Sequence, residues 1–170
     1  MFSKKTKLLL ILFAGIFLFG SCKIYRFRDV SIPAEVKTVR VQYIENRAPY
    51  VNPQLSPQLT DRLRQKINNQ TRLTQIQGDE ADYDIRAEVT GYNVTTSGVS
   101  DQQASTNRLI VTVNVIFKNR LDDTKSFEAP VSRNFDFSAS LSLEQAQAQL
   151  LPTILQNMVD EIFNRIFSNW

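Results

Sequence analysis

The chain has 170 residues, with 20 Lys and Arg against 17 Asp and Glu, one cysteine and no histidine. Without histidine, the commonest general base, the commonest metal ligand and every serine–histidine catalytic arrangement are excluded. The formal charge of +3 comes from three lysines at the start of the chain, so the remainder is neutral. Net charge therefore gives no reason to expect nucleic-acid binding.

The first 21 residues have the pattern of an export signal. Three lysines precede an apolar run at residues 8–19, and Gly20-Ser21 stands directly before Cys22. This run of 12 residues is short of the roughly 20 that a helix needs to span a bilayer, so we predict a cleaved signal. The segment resembles a bacterial lipoprotein signal cleaved before Cys22, although Phe19 replaces the usual leucine. An ordinary secretory signal with a chance cysteine is the alternative.

Acylation of Cys22 would leave the chain without a free thiol. Disulfides, cysteine nucleophiles and zinc–cysteine clusters are then excluded as well. We predict a signal peptide at residues 1–21, a lipidated tether at 22–34 and a single domain at 35–170, which is long enough for one hydrophobic core.

The first half of this domain predicts a strand followed by a helix. Residues 36–43 have the pattern of a half-buried strand, because polar and apolar side chains alternate from Thr38 onward. A helix should begin near Asn52-Pro53 or Ser56-Pro57, each a capping residue followed by proline. It should end near residue 70. Its apolar stripe consists of Leu55, Leu59, Leu63 and Ile67.

An acidic stretch at residues 79–84 precedes the second strand. It could in principle hold calcium, but it lacks the glycine-centred spacing and terminal glutamate of a calcium-binding loop. We interpret it as a solvated turn that leads into a strand whose polar face carries Asp82 and Asp84. No metal site, cofactor site or catalytic site is predicted.

Three strands are predicted in series, at residues 83–94, 108–119 and 126–138. The first two are separated by residues 95–106, which we predict to be a polar loop. Pro130 lacks an amide donor and indicates that the third strand lies at a sheet edge or carries a bulge. Arg133 interrupts the apolar face of that strand.

The last predicted element is a long helix that starts at a capping box, Ser142-Leu143-Glu144-Gln145. Pro152 should kink or restart this helix because it removes one internal hydrogen bond. Two adjacent apolar stripes run along this helix. One consists of Leu150, Ile154, Met158, Ile162 and Ile166, and the other of Leu151, Leu155, Val159, Phe163 and Phe167.

The element order β-α-β-β-β-α predicts an α/β domain of the α+β two-layer type. A mixed four-stranded sheet should carry both helices on one face. The other face would then be wet or covered by a partner. Candidates for that second face are Thr38, Arg40, Gln42, Thr112 and Asn114.

Short motifs along the whole domain resemble the Bacteroidota branch of the LPS-assembly lipoprotein family (LptE-like). Besides the lipoprotein signal, they are Ser31-Ile32-Pro33, Val39-Arg40-Val41-Gln42-Tyr43, Asn46-Arg47-Ala48-Pro49, Val51-Asn52-Pro53, Leu59-Thr60, Gly91-Tyr92-Asn93-Val94, Asn107-Arg108-Leu109, Asp160-Glu161-Ile162-Phe163-Asn164 and Phe167-Ser168-Asn169-Trp170. The resemblance implies a four-stranded mixed sheet with two helices, in agreement with the predicted element order.

The resemblance also implies a function. The lipoprotein would sit inside a large outer-membrane β-barrel (LptD-like), help it to assemble, plug its lumen and assist delivery of LPS to the outer leaflet. Residues Lys23 to Arg26 differ from the acidic signal typical of surface-exported lipoproteins in this phylum. We therefore expect a protein anchored in the outer membrane through Cys22 and facing the periplasm.

Arg108 and Arg133 are the candidate anion or partner contacts. A guanidinium group pairs in bidentate fashion with phosphate or carboxylate, such as LPS phosphates or acidic residues of a barrel wall. Alternatively, both side chains bury their stems and keep their charges in water.

Three classes of function remain at this stage. The first is a non-enzymatic subunit of an LPS translocon, which is the expected one. The second is a stand-alone lipoprotein that binds or carries an amphiphile in a groove between helices and sheet. The third is an enzyme, which the missing histidine and thiol disfavour.

Overall fold

A computed structural model describes residues 32–100 and 103–168 of the chain, without the side chains of residues 99, 100, 103 and 104. The predicted signal peptide, Cys22 and most of the predicted tether lie outside the described residues. The described part contains six strands, two α-helices and a short 3-10 helix. They are β1 (Thr38–Val41), β2 (Glu45–Asn46), α1 (Leu55–Gln70), β3 (Thr74–Gln75), β4 (Tyr83–Ser100), β5 (Gln103–Asn119), the 3-10 helix (Asp123–Lys125), β6 (Phe127–Ser138) and α2 (Leu143–Phe167).

The strands form one mixed sheet in the order β3-β1-β4-β5-β6, and β2 also pairs with β4. Strands β1 and β2 run parallel to β4 along the same edge, whereas β4, β5 and β6 form an antiparallel meander. The predicted fold class is therefore confirmed. The structure contains two strands that were not predicted, β2 and β3. Each has only two residues, which is too short to give an alternation pattern in the sequence.

One face of the sheet and the two helices enclose a single hydrophobic core. The predicted stripe of α1 is completely buried, and both stripes of α2 are buried from Ile154 onward. Side chains from β1, β4, β5 and β6 complete the core: Val39, Val41, Tyr83, Ile85, Ala87, Val89, Leu109, Val111, Val113, Val115, Phe117, Val131, Phe135 and Phe137.

The helix ends follow the predicted capping chemistry in part. Helix α2 begins at the predicted capping box, in which Ser142 and Gln145 exchange hydrogen bonds, and it continues without interruption past the exposed Pro152. The predicted alternative of a restarted helix is therefore wrong. Helix α1 begins at Leu55, between the two predicted start signals, and has no side-chain cap. None of the helices described is both long and apolar enough to cross a membrane.

The predicted polar loop at residues 95–106 is wrong. Strands β4 and β5 continue through this region as a paired ribbon, with Thr95 opposite Arg108 and Ser100 opposite Gln103. We call residues 95–100 of β4 and 103–108 of β5 the distal ribbon. The side chains described here are exposed or half-buried, so the sequence carries no hydrophobic alternation that could reveal the strands.

Candidate interaction surfaces

The sheet face opposite the helices is polar. Alternation along the strands places the predicted residues Thr38, Arg40, Gln42, Thr112 and Asn114 on it, all of them half-buried. Neighbouring strands are joined by polar contacts across this face. Asn114 donates to Glu128 at 2.7 Å, and the hydroxyl groups of Thr112 and Ser132 lie 3.1 Å apart.

The best-buried ion pair on this face connects β1 to β4. The Arg40 guanidinium donates to both carboxylate oxygens of Asp84, at 2.8 and 2.9 Å, and Gln42 donates to the same carboxylate at 3.1 Å. Burial raises the pKa of Asp84, but the hydrogen bonds from Arg40 and Gln42 and the positive charges of Arg40 and Arg86 together outweigh it, so the net pKa is lowered. The carboxylate therefore stays charged and stabilises the parallel pairing of the two strands.

Residues of the acidic stretch make contacts that stabilise the fold. The Asp82 carboxylate accepts hydrogen bonds from the backbone N–H groups of Lys37 and Thr38, at 2.8 and 2.9 Å. The Lys37 N–H is the main reason why the pKa of Asp82 is lowered. Asp79, which is exposed, contacts Arg40. Within the described residues, no group of three or more Asp, Glu, His or Cys is arranged to hold a metal ion.

The two candidate arginines do not form one site. Arg108 lies on the polar sheet face and donates to both carboxylate oxygens of Asp136, at 2.7 and 2.9 Å. Arg133 pairs with Val111 of β5, on the helix-bearing face, and contacts Glu161 of α2. Both side chains are well exposed. Because β6 is the edge strand, as Pro130 indicated, Arg133 can leave the apolar face of its strand and reach α2 and water.

The cavity between the two helices is also polar. Its volume is about 400 Å³, and Val159 is its only apolar lining residue. The Lys66 ammonium group forms an ion pair with Asp160 at 2.8 Å and lies 5.0 Å from the centre of the Phe163 ring. This lining suits water and ions better than an acyl chain.

Three exposed apolar side chains lie near the point where β2 leaves the sheet. Tyr50 is stacked on Tyr92 of β4, with ring centroids 5.7 Å apart and planes at 19°. Tyr92 is buried, but Tyr50, Val51 and Val94 remain 39%, 55% and 40% exposed. We call these three exposed side chains the apolar patch. No motif or alternation in the sequence brings residues 50, 51 and 94 together, because their proximity depends on the pairing of β2 with β4.

Two bacterial lipoproteins of known structure have a similar fold. A minor lipoprotein from Acinetobacter baumannii superposes with a TM-score of 0.53 at 15% identity, covering 81% of this chain and 95% of that one. Rare lipoprotein B from Shewanella oneidensis gives a TM-score of 0.51 at 13% identity, covering 76% and 93%. At such identities the likeness concerns the fold alone. No curated protein matches the sequence.

The sequence itself identifies the family. The model of the LptE family, described as lipopolysaccharide-assembly, matches residues 36–166, which is nearly the whole described domain. The chain therefore belongs to the LptE family of lipopolysaccharide-assembly lipoproteins, and the resemblance found in the sequence motifs is confirmed.

Proposed function

We propose that the protein is a non-enzymatic subunit of an outer-membrane LPS translocon. In this role it assists the assembly of a large β-barrel partner (LptD-like), plugs the barrel lumen and helps to deliver LPS to the outer leaflet. The observation that carries this proposal is the LptE family match over residues 36–166. The absence of histidine from the sequence and the structural use of the acidic stretch support a non-catalytic role.

The chemistry of the uncovered sheet face supports a polar environment such as a barrel lumen. Its ion pairs join neighbouring strands, so this face presents compensated charge rather than one sign. Water-filled barrels have polar interiors, in contrast to their lipid-facing exteriors. A polar, charge-compensated sheet can lie against such a wall without burying unpaired charges, which would be costly.

Membrane attachment is assigned to acylated Cys22, with the domain facing the periplasm. Several acyl chains, at about 0.8 kcal/mol per buried methylene, hold a protein on a membrane where one chain barely does. Replacing Cys22 by alanine should leave the signal uncleaved by the lipoprotein peptidase. A correctly processed, acylated Cys22→Ala protein would refute this assignment.

Arg108 and Arg133 remain proposed contacts for an anion or for acidic residues of the partner. Each is exposed and already paired with a carboxylate, so an incoming phosphate would have to compete with Asp136 or Glu161. Exchange of one exposed partner for another is feasible because such surface pairs contribute little to stability.

An amphiphile carrier is the alternative, and it is less well supported. The helix–sheet interface is filled by core side chains, and the cavity between the helices is lined mainly by polar groups. An acyl chain needs a largely apolar pocket.

Purification from native outer membranes tests the proposal. The full-length lipidated protein, gently extracted in detergent, should be recovered with a β-barrel of far larger mass. Recovery of the lipoprotein alone, with bound amphiphile and no barrel, would favour the carrier instead. The matched reference is the same purification from cells that express an unrelated lipoprotein with the same signal and affinity tag.

A further inference from the structure

One edge of β4 is open over the segment Gly91–Gly98. β1 pairs with residues 83–85 of β4, and β2 pairs with residues 88 and 89. The last backbone contact is the hydrogen bond from Arg47 N–H to the Val89 carbonyl, at 2.8 Å. Beyond it, no strand among the described residues pairs with this side of β4. We call the segment Gly91–Gly98 the open edge.

Strand geometry shows which backbone groups the open edge presents. The Ile85 and Val89 carbonyls point away from β5, toward β1 and β2. The bulge between Val89 and Gly91 shifts the register by one residue. After this shift, Tyr92 lies opposite Val111 and Val94 lies opposite Leu109, so both have the same orientation in the strand as Val89. Their N–H and C=O groups, and those of Thr96, therefore point away from β5 as well.

The open edge differs from the other exposed edges of the sheet. β3 at one end is only two residues long, and β6 at the other end carries Pro130 together with charged side chains such as Arg133 and Asp136. Proline, charge and shortness are the usual devices that protect an edge from pairing with another chain. The segment Gly91–Gly98 contains no charged residue and no proline. It is the least protected of the three.

The side chains next to the open edge add an apolar contact on one side. Tyr92, Val94 and Thr96 point toward the helix-bearing face, whereas Asn93 and Thr95 point toward the polar face. The apolar patch of Tyr50, Val51 and Val94 therefore lies beside the edge on the helix side. A strand placed there would extend the line of β1 and β2 and cover the patch with every second side chain.

We propose that the open edge binds an extended segment of the β-barrel partner by β-strand addition. Regularly spaced backbone donors and acceptors are satisfied by an extended peptide, and alternate side-chain contacts give specificity. This segment of the partner is uncharged, and apolar residues at every second position cover Tyr50, Val51 and Val94. A closed barrel has no edge strand, so the segment belongs to a loop or terminal region of the partner rather than to its wall. This inference rests on the proposed function.

Two matched variants of the full-length lipidated protein test the inference. Val94→Lys places a charge beside the open edge and the apolar patch. Asn157→Lys adds the same charge at an exposed position of α2, outside the open edge. Since Val94 is 40% exposed and lies outside the core cluster, both variants should melt at the wild-type temperature. Recovery of the barrel from native membranes should fall about tenfold or more for Val94→Lys, and it should be unchanged for Asn157→Lys.

Photocrosslinking identifies what occupies the edge. A photoreactive phenylalanine analogue at position 94 should crosslink to one short, uncharged segment of the barrel, whereas the analogue at position 157 should not crosslink to that segment. If the wild type and both variants recover the barrel equally, the edge inference is overturned while the proposed function stands. A crosslink from position 94 to a second copy of this chain also overturns it. If the wild type recovers no barrel, both the inference and the proposed function fail.

Discussion

The two halves of the β4–β5 pair differ in the contacts that stabilise them. Residues 83–89 of β4 have β1 and β2 on one side and the helices on one face, and their inward side chains are buried. The distal ribbon belongs to the same two strands, yet none of its described side chains is part of the core cluster. Strand pairing thus continues beyond the region where burial stabilises it. This contrast separates the part of the molecule that maintains the fold from the part that is available to a partner.

The largest effect on stability is expected in the hydrophobic core that packs against the first half of the β4–β5 pair. Phe163 of α2 is 3% exposed, and its ring lies 4.8 Å from that of Phe167. Phe163→Ala should lower the free energy of unfolding by about 3–5 kcal/mol, because truncating a buried phenylalanine leaves a cavity. Chemical denaturation of the folded protein measures this. The control is Asn164→Ala, at an exposed position on the same helix. Equal stability of the two variants would mean that this stripe does not form the core.

A smaller effect is expected where β1 joins β4. Asp84→Asn removes the charge that Arg40 contacts and should cost about 1–3 kcal/mol at neutral pH. The pKa of Asp84 is lowered in the folded protein, so near pH 4 the unfolded state binds more protons than the folded state. The stability that Asp84 contributes is therefore present above about pH 4 and is lost as the pH falls through the lowered pKa.

Asp82 and Asp160 also have lowered pKa values and lose their contributions in the same direction. Denaturation between pH 7 and pH 3 should therefore show a steeper loss of stability for the wild type than for Asp84→Asn. Parallel curves would indicate that the Arg40–Asp84 pair does not stabilise the fold.

The distal ribbon should be dispensable for stability. Replacing residues 96–107 by Asn-Gly joins Thr95 to Arg108, a pair that faces each other in antiparallel register, through a two-residue turn. The free energy of unfolding should change by less than about 1 kcal/mol because none of the described side chains that are removed belongs to the core cluster. Thermal melting followed by circular dichroism checks this. A loss as large as that of Phe163→Ala would erase the distinction between the two regions.

The smallest effect on stability is expected for the two arginines. The double variant Arg108→Gln, Arg133→Gln should melt at the wild-type temperature, because both ion pairs are solvent-exposed. LPS binding and barrel recovery at low salt should nevertheless decrease if either arginine contacts an anion or the partner. Unchanged binding and recovery in the stably folded variant would leave the arginines as ordinary surface residues.

The sequence predicted the regions in which burial dominates. Leu109, Val111, Val113, Val115 and Phe117 alternate without interruption because one face of β5 packs under the helices, and this strand was predicted correctly. The two stripes of α2 were predicted for the same reason. Pro130 indicated the edge position of β6 because a missing amide donor is tolerated only where no neighbour needs it.

The regions that the sequence did not predict are those whose structure depends on pairing between segments far apart in the chain. The distal ribbon carries Thr, Ser and Gln without a hydrophobic period, so it had the composition of a loop. Asp84 was placed correctly on the polar side of a strand, whereas Asp82 lies one residue before β4. The contacts of these two residues with Arg40 and Lys37 depend on the parallel register of β1 and β4. The open edge could not be predicted either, because it exists only where β2 leaves β4.

Hydrogen–deuterium exchange tests most directly whether the open edge is the partner-binding part of the molecule. It compares the full-length lipidated protein alone with the same protein in the complex recovered from outer membranes. We expect the amides of Tyr92, Val94 and Thr96, which point away from β5, to exchange rapidly in the isolated protein and to become protected in the complex. Amides of residues 83–85 and 88–89, which lie between β5 and the parallel strands β1 and β2, should exchange at the same slow rate in both. Equal exchange of Tyr92, Val94 and Thr96 in the two samples would contradict the account.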